Sequence, residues 1–160
     1  MANLSLYSQT ITSNQTSMME LEKTSTPYIK LDKTLTGISC EFLAAGELAR
    51  RGFNVSVTFG NTKAIDLLVE KDGKQFKFQV KGIQRNKSIC WNISRHKIEP
   101  GLFFILVNLN ADKLNEQVEF FVLTAEEMTI KLKHVKSGRD YIDYNLLKRE
   151  GYLGGWEKIK

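Results

Sequence analysis

Residues 64–81 read Ala64-Ile65-Asp66-Leu67-Leu68-Val69-Glu70-Lys71-Asp72-Gly73-Lys74-Gln75-Phe76-Lys77-Phe78-Gln79-Val80-Lys81. Asp72-Gly73 lies between two runs that alternate apolar and polar residues, which is the strong short-range signal for a β-hairpin closed by a two-residue turn. A turn at that point sets Val69 against Phe76, Leu67 against Phe78 and Ile65 against Val80. All three pairs are apolar and share one face, so the pattern supports the register. The same register puts Asp66 opposite Gln79, with β-carbons about 4.5–5.5 Å apart, and Lys81 two residues further along that face. A carboxylate and an amide oxygen so spaced can both reach one hard cation, since Mg²⁺ takes oxygen ligands at about 2.0–2.1 Å. The plainer alternative is a solvated sheet face on which Asp66 pairs with Lys77 or Lys81.

Upstream, the spacing of Ile38, Phe42, Ala45, Leu48 and Ala49 predicts a helix over 36–51, and Gly52 is placed to stop it. Glu41 shares a face with Ile38, Ala44, Ala45 and Leu48, so this phase points it toward the sheet, whereas Glu47 neighbours Arg50 and Arg51 on the solvated face. For Glu41 the other reading is a side chain that reaches solvent or a nearby Lys. Extended runs are expected at 54–59, 64–70, 75–81, 89–93 and 102–108, with Trp91 a core residue of the fourth. Leu102-Phe-Phe-Ile-Leu-Val107 is apolar without alternation, so it must be covered on both faces and reads as a central strand, with 118–123 beside it. Thr124-Ala-Glu-Glu127 is a capping box opening a helix to about Lys133. The remainder reads as irregular, anchored by Tyr141, Tyr152 and Trp156.

The chain of 160 residues, 42% hydrophobic and 26% charged, has room for one compact domain, taken as 34–160. Ten of the first thirty residues are Ser or Thr, so 1–33 reads as a polar arm, poorly ordered or laid on a partner or second subunit. A net charge of +5 favours polyanionic partners. Cys40 and Cys90 stand alone, without a disulfide framework or zinc-ligand spacing, and His96 and His134 read as surface residues. No stretch approaches the roughly 20 apolar residues of a membrane helix, and no basic-then-apolar leader opens the chain, so a reducing cytoplasm is the expected setting. A homo-oligomer stays open.

The helix carrying Glu41, then Ile65-Asp66, then Gln79-Val80-Lys81 across a hairpin, resembles the active site of the PD-(D/E)XK nuclease superfamily. In that family one strand supplies an Asp and the next an acid, one residue, then Lys. The QxK form found here resembles bacterial restriction-like and homing endonucleases over about 36–109. The resemblance implies an α/β fold, a mixed β-sheet flanked by helices with a restriction-endonuclease-like core. It also implies a metal-dependent endonuclease that hydrolyses DNA phosphodiester bonds with Mg²⁺ or Mn²⁺. Asp66, Gln79 and Glu41 would hold the metal and Lys81 would act on the phosphate or its attacking water. The chain departs from the family pattern at Gln79, which replaces the usual acid, and between Gly82 and Gly101, where the expected helix is not evident. Gln79 keeps alive a second reading, a catalytically lapsed module that grips nucleic acid or a protein. The basic stretch after Lys81, with Gln84, Arg85 and Lys87, and further on Arg95 and Lys97, carries groups that bind phosphate without reading sequence, and these are the expected DNA contacts.

Overall fold

The computed structural model describes residues 30–58, 65–84, 89–113, 115–135 and 138–160. Helix α1, Lys33–Arg50, starts three residues before the apolar period does, because Asp32 caps it: its carboxylate accepts the Leu35 amide at 2.8 Å. Strands β1 (Asn54–Val57), β2 (Leu67–Lys71) and β3 (Lys74–Ile83) follow as an antiparallel meander. The hairpin between β2 and β3 has the expected register from Lys71 with Lys74 to Leu67 with Phe78, but the expected pairs of Asp66 with Gln79 and Ile65 with Val80 do not form: the Asp66 amide bonds to the Phe78 carbonyl instead, and Ile65 packs against the opposite core. Asp72 and Gly73 take φ of 52° and 76°, the conformation of a type I′ turn.

Beyond β3 the chain forms β4 (Cys90–Ile93) and a 3₁₀ turn at Arg95–Lys97, then β5 (Leu102–Asn108) and β6 (Glu119–Thr124). The main sheet has the order β1-β2-β3-β5-β6, with β3 and β5 parallel and the other pairs antiparallel. A parallel pair needs a long crossover, commonly a helix. Here β4 and the 3₁₀ turn provide it. β4 leaves the main sheet to pair with β8 (Asp140–Asp143), which also pairs with the two-residue β7 (Lys133–His134).

Two cores result. On one side the row Thr36, Cys40, Ala44 and Leu48 of α1 packs on Leu67, Val69, Phe78, Val80, Ile105 and Val107. On the other, Trp91, Ile93 and Ile142 of the small sheet cover Leu102, Phe104, Leu106, Phe121 and Leu123. The apolar β5 is therefore buried from both faces, as its sequence requires. Trp91 is a core residue, 1% exposed, and its indole donates to the Val107 carbonyl at 3.1 Å.

The C-terminal third is more regular than its sequence suggests. Helix α2 (Ala125–Lys131) opens with the expected capping box of Thr124 and Glu127. After it come β7 and β8, and then α3 (Tyr144–Arg149), whose N-cap Asp143 accepts the Leu146 amide at 2.8 Å. These elements are two to seven residues long, too short for a period to show. The aromatic anchors hold: Trp156 stacks on Phe120 at 5.6 Å, and the Arg51 guanidinium lies 4.1 Å from the Trp156 ring. Among the described residues, no helix is long and apolar enough to cross a membrane.

One close approach sets how α1 sits on the sheet. A Cβ added at Gly82, next to Lys81 on β3, would stand 2.3 Å from the Cys40 sulfur and 3.2 Å from its Cβ. Glycine lets the helix settle there, and the same burial pushes the Cys40 thiol up to about 12. Gly82→Ala should cost about 1–3 kcal/mol by overpacking. Adding Cys40→Ala should return part of that loss, so that urea unfolding gives the double variant more stability than the two single losses together allow.

Candidate active site

The site forms where β2 stops and β3 continues. β3 runs ten residues, but β2 pairs with it only from Lys74 to Phe78. From Gln79 to Ile83, β3 has β5 on one side, Gln79 beside Phe104 and Lys81 beside Leu106. On the other side the chain at Asp66 turns out of the ladder. The Asp66 amide donates to the Phe78 carbonyl at 2.8 Å, and the Asp66 carboxylate accepts the Val80 amide at 2.7 Å. A side chain thus satisfies a backbone donor that a further strand residue would otherwise have taken. This bond fixes Oδ2 of Asp66 at the backbone between Gln79 and Lys81 and leaves Oδ1 to point elsewhere.

Phe78 and Val80 belong to the core beneath α1, so Gln79 and Lys81 alternate to the other face. Gln79 is 3% exposed, and Lys81 and Asp66 are half-buried. Glu41 comes from α1. It lies in the half-buried row Gly37, Glu41, Ala45, which flanks the fully buried one. Ile38, expected on the inward face with it, is 45% exposed, so the helix is rotated from the sequence phase while Glu41 keeps its side toward the sheet edge. Glu47, expected on the solvated face, is half-buried, its side chain 25% exposed and bonded to Arg50 and Arg51.

The electrostatics tie these residues together. Burial raises the Glu41 pKa above the ordinary glutamate value, the Asp66 charge raises it further, and the Lys81 ammonium opposes both. The Glu41 charge is thus repelled by Asp66 and attracted by Lys81. Among the described residues no three His, Cys, Asp or Glu side chains gather as a metal-ligand set. Asp66 and Glu41 are hard oxygen donors that suit Mg²⁺ and not a soft metal, while the Gln79 amide lies on the face of β3 away from α1.

The expected phosphate contacts divide. The Gln84 amide donates to the Leu31 carbonyl at 2.8 Å and to Thr36 Oγ1 at 2.7 Å, and its oxygen accepts the Leu31 amide at 3.0 Å. It therefore clamps the chain entering α1 to the end of β3, a role with no sequence signal because its partners lie about fifty residues away. Arg95 and Lys97 are exposed in the 3₁₀ turn, and Arg95 reaches Asp140 at 3.3 Å. Asp140 also takes the exposed His134 at 2.7 Å. Arg85 and Lys87 lie outside the described residues.

A polar cluster that the sequence reading did not single out lies at the far end of β5. Glu119 accepts from Asn108 at 2.7 Å, Tyr144 at 2.7 Å and Lys148 at 2.6 Å. Burial alone would raise the Glu119 pKa, but the hydrogen bonds outweigh it and hold the carboxyl below its usual range. Asn108 and Asn110 are 0% and 2% exposed and bonded to each other, and Asn110 donates on to the Gln117 carbonyl at 2.7 Å.

The chain is similar to the structure of a bacterial homing endonuclease, I-Ssp6803I, with a TM-score of 0.58 and 16% identity, over 81% of this chain and 92% of that one. No family model and no curated protein matches. At that identity the likeness shows a shared fold, a mixed sheet flanked by helices.

The raised Glu41 pKa has a testable sign. A carboxyl held above its unfolded value contributes stability that is full below the ordinary glutamate pKa and is lost as pH rises through the folded value. Glu41→Gln removes the charge and keeps the shape. Its Tm should exceed that of the natural protein by a few degrees at most near neutral pH, and the gap should close as pH falls below the ordinary glutamate value. A gap that stays constant with pH, read by thermal melts, would contradict the proximity of Glu41 to Asp66.

Proposed function

We propose that this chain is a Mg²⁺- or Mn²⁺-dependent endonuclease of the PD-(D/E)XK type, hydrolysing phosphodiester bonds in DNA. The observation that carries the reading is the Asp66 carboxylate anchored on the Val80 amide at the unpaired end of β3, between Gln79 and Lys81, with Glu41 electrostatically coupled to it. The likeness to a bacterial homing endonuclease supports DNA as the substrate. The net charge of +5 supports a polyanion.

In this reading Asp66, Gln79 and Glu41, directly or through water, would hold the divalent cation. The cation supplies Lewis-acid stabilisation of charge on the phosphate and a more acidic water. Asp66 keeps a fixed direction because its Oδ2 is tied to the backbone. Lys81 donates to the phosphate or orients the attacking water, and balances negative charge as it builds. Glu41 has a raised pKa because burial disfavours its charged form and the Asp66 charge adds to that; a bound cation would offset both. With an amide at 79, the site has one negative charge fewer than a three-carboxylate site, so its cation affinity rises when DNA phosphate joins as a further ligand. The exposed Arg95 and Lys97 suit backbone contacts.

A second reading, a lapsed site retained for gripping nucleic acid or a protein, rests on Gln79 alone. Plasmid nicking by the purified chain with and without Mg²⁺ separates the two. Lys81→Ala and Asp66→Ala should each reduce nicking by about 10²-fold or more, with unfolding curves that show an intact fold. For Asp66→Ala the heat of Mn²⁺ binding in the presence of uncleavable DNA should vanish as well; equal heats would sink its role as a ligand. Gln79→Glu keeps the length of the side chain and adds a charge, so cleavage should appear at lower Mg²⁺ than in the natural protein. Superimposable Mg²⁺ curves would remove Gln79 from the metal, and cleavage seen in the variant alone would make the natural chain the binding module.

A further inference from the structure

Helix α1 buries the row Thr36, Cys40, Ala44 and Leu48 and turns the opposite row to solvent. On that outer row Leu35 is 50%, Ile38 45% and Phe42 57% exposed, and Gly46 and Ala49 continue it, also exposed. The spacing along the row reads the same from either end about Phe42. Its first half carries the large apolar residues Leu35 and Ile38, and its second half the small residues Gly46 and Ala49.

Among the described residues nothing accounts for this. A Cβ at Gly46 would meet no atom within 4 Å, so no internal contact requires glycine there, although glycine weakens a helix interior. Beside Gly46 is a hollow of about 500 Å³ lined by Phe42, Leu43, Val118 and Phe120 among others. A bulky group entering from outside would fill it.

We propose that this row is the two-fold interface of a homodimer, with α1 of one copy antiparallel to α1 of the other. An isologous contact must be self-complementary. With the axis at Phe42, the two Phe42 rings meet, each Ile38 lies over the partner copy's Gly46 and each Leu35 over its Ala49. Large residues then fall on small ones along the whole seam, a ridge entering a groove. The charges agree with the same register. Asp32, the exposed N-cap, stands about two residues, roughly 3 Å along the axis, from the point opposite Arg50. The Arg50 side chain is 70% exposed and long enough to span that offset. The antiparallel helix dipoles also attract. Glu41 lies in the flanking row, so pairing does not need its side chain. The contact is smaller than the roughly 800 Å² per partner of a standard stable interface, so dimer and monomer should exchange in the micromolar range. This proposal is independent of the proposed activity.

Sedimentation of the full chain from low to high micromolar concentration tests it. The mass should rise from 18.3 kDa toward twice that value. Gly46→Leu improves helix propensity, so it should fold, but it sets two large residues against each other and should weaken association by about tenfold or more. Adding Ile38→Ala to it exchanges large for small at the same contact and should restore association. A monomer at every concentration, association unchanged by Gly46→Leu, or a double variant no better than the single one would each overturn the proposal. So would a monomer in which a Phe42→Cys thiol resists modification, since residues 1–29 or a different partner would then cover the row.

Discussion

The parallel pairing of β3 with β5 is the constraint on which the rest of the structure depends. Two parallel neighbours cannot be joined by a tight turn, so the chain must leave the sheet after Ile83 and return at Leu102. It leaves through β4, and β4 needs a partner of its own, which is β8. The second sheet and the second core follow from that departure, because Trp91 and Ile93 carry their apolar faces onto Phe104 and Leu106. The same pairing holds β3 straight for five residues past the end of β2. Its far edge would then expose backbone donors, and Asp66 answers one of them with its carboxylate. The candidate site is therefore a product of unequal strand lengths. A β2 two residues longer would pair Val80 with backbone and free Asp66 from the place that makes it useful.

What the sequence made legible was whatever rests on local pattern. Asp72-Gly73 needs positive φ at both positions, few residue types allow it, and the hairpin register followed from it down to Leu67 and Phe78. The unbroken apolar run at 102–107 announced a strand covered twice. Thr124 with Glu127 announced a helix start. Less legible was anything decided by distant packing. The phase of α1 was set with Ile38 inward, since an apolar residue at the right spacing looks like core; the structure leaves it out because the close approach of Cys40 to Gly82 rotates the buried row to Thr36, Cys40, Ala44 and Leu48. Asp32 was overlooked as the helix cap because it follows a long polar stretch. Gln84 reads as a phosphate ligand from its basic neighbours, yet its amide closes a loop of chain about fifty residues long. Of the candidate site, the hairpin pattern put Asp66 at the end of the ladder near Gln79 and Lys81, though the pairing stops one residue short and Asp66 does not stand opposite Gln79. The carboxylate bond to the Val80 amide was not legible, since it depends on the ladder ending there.

The electrostatic state of the site is unusual for a structural feature. Surface carboxylates in folded proteins tend to gain cationic partners and lower their pKa, as Glu47 does with Arg50 and Glu119 does with Lys148. Glu41 goes the other way, because it is partly desolvated beside a second carboxylate and Lys81 offsets only part of the cost. Nothing in the packing of α1 requires an acid at that position, since the neighbouring row members are Gly37 and Ala45. A chain that keeps such a residue accepts a loss of stability at neutral pH, and binding of a positive charge is the simplest event that reverses the sign.

Helix α1 thus divides its surface among separate demands, and the division explains its composition. The inner row must be small where the sheet comes close, which sets Cys40 and Thr36 against Gly82 and leaves Leu48 to fill the wider end near Phe53. The flanking row holds one charge, Glu41, between two residues too small to shield it. The outer row is apolar where a helix facing only water would be polar, and it loses helix propensity at Gly46 with no contact among the described residues to require it. A rotation of α1 by one residue would disturb all three rows together, since 100° carries each into the next. The contact of Gly82 with Cys40 prevents that rotation, and so a hydrogen atom in place of a methyl group on β3 governs both the position of Glu41 and the face that α1 turns outward.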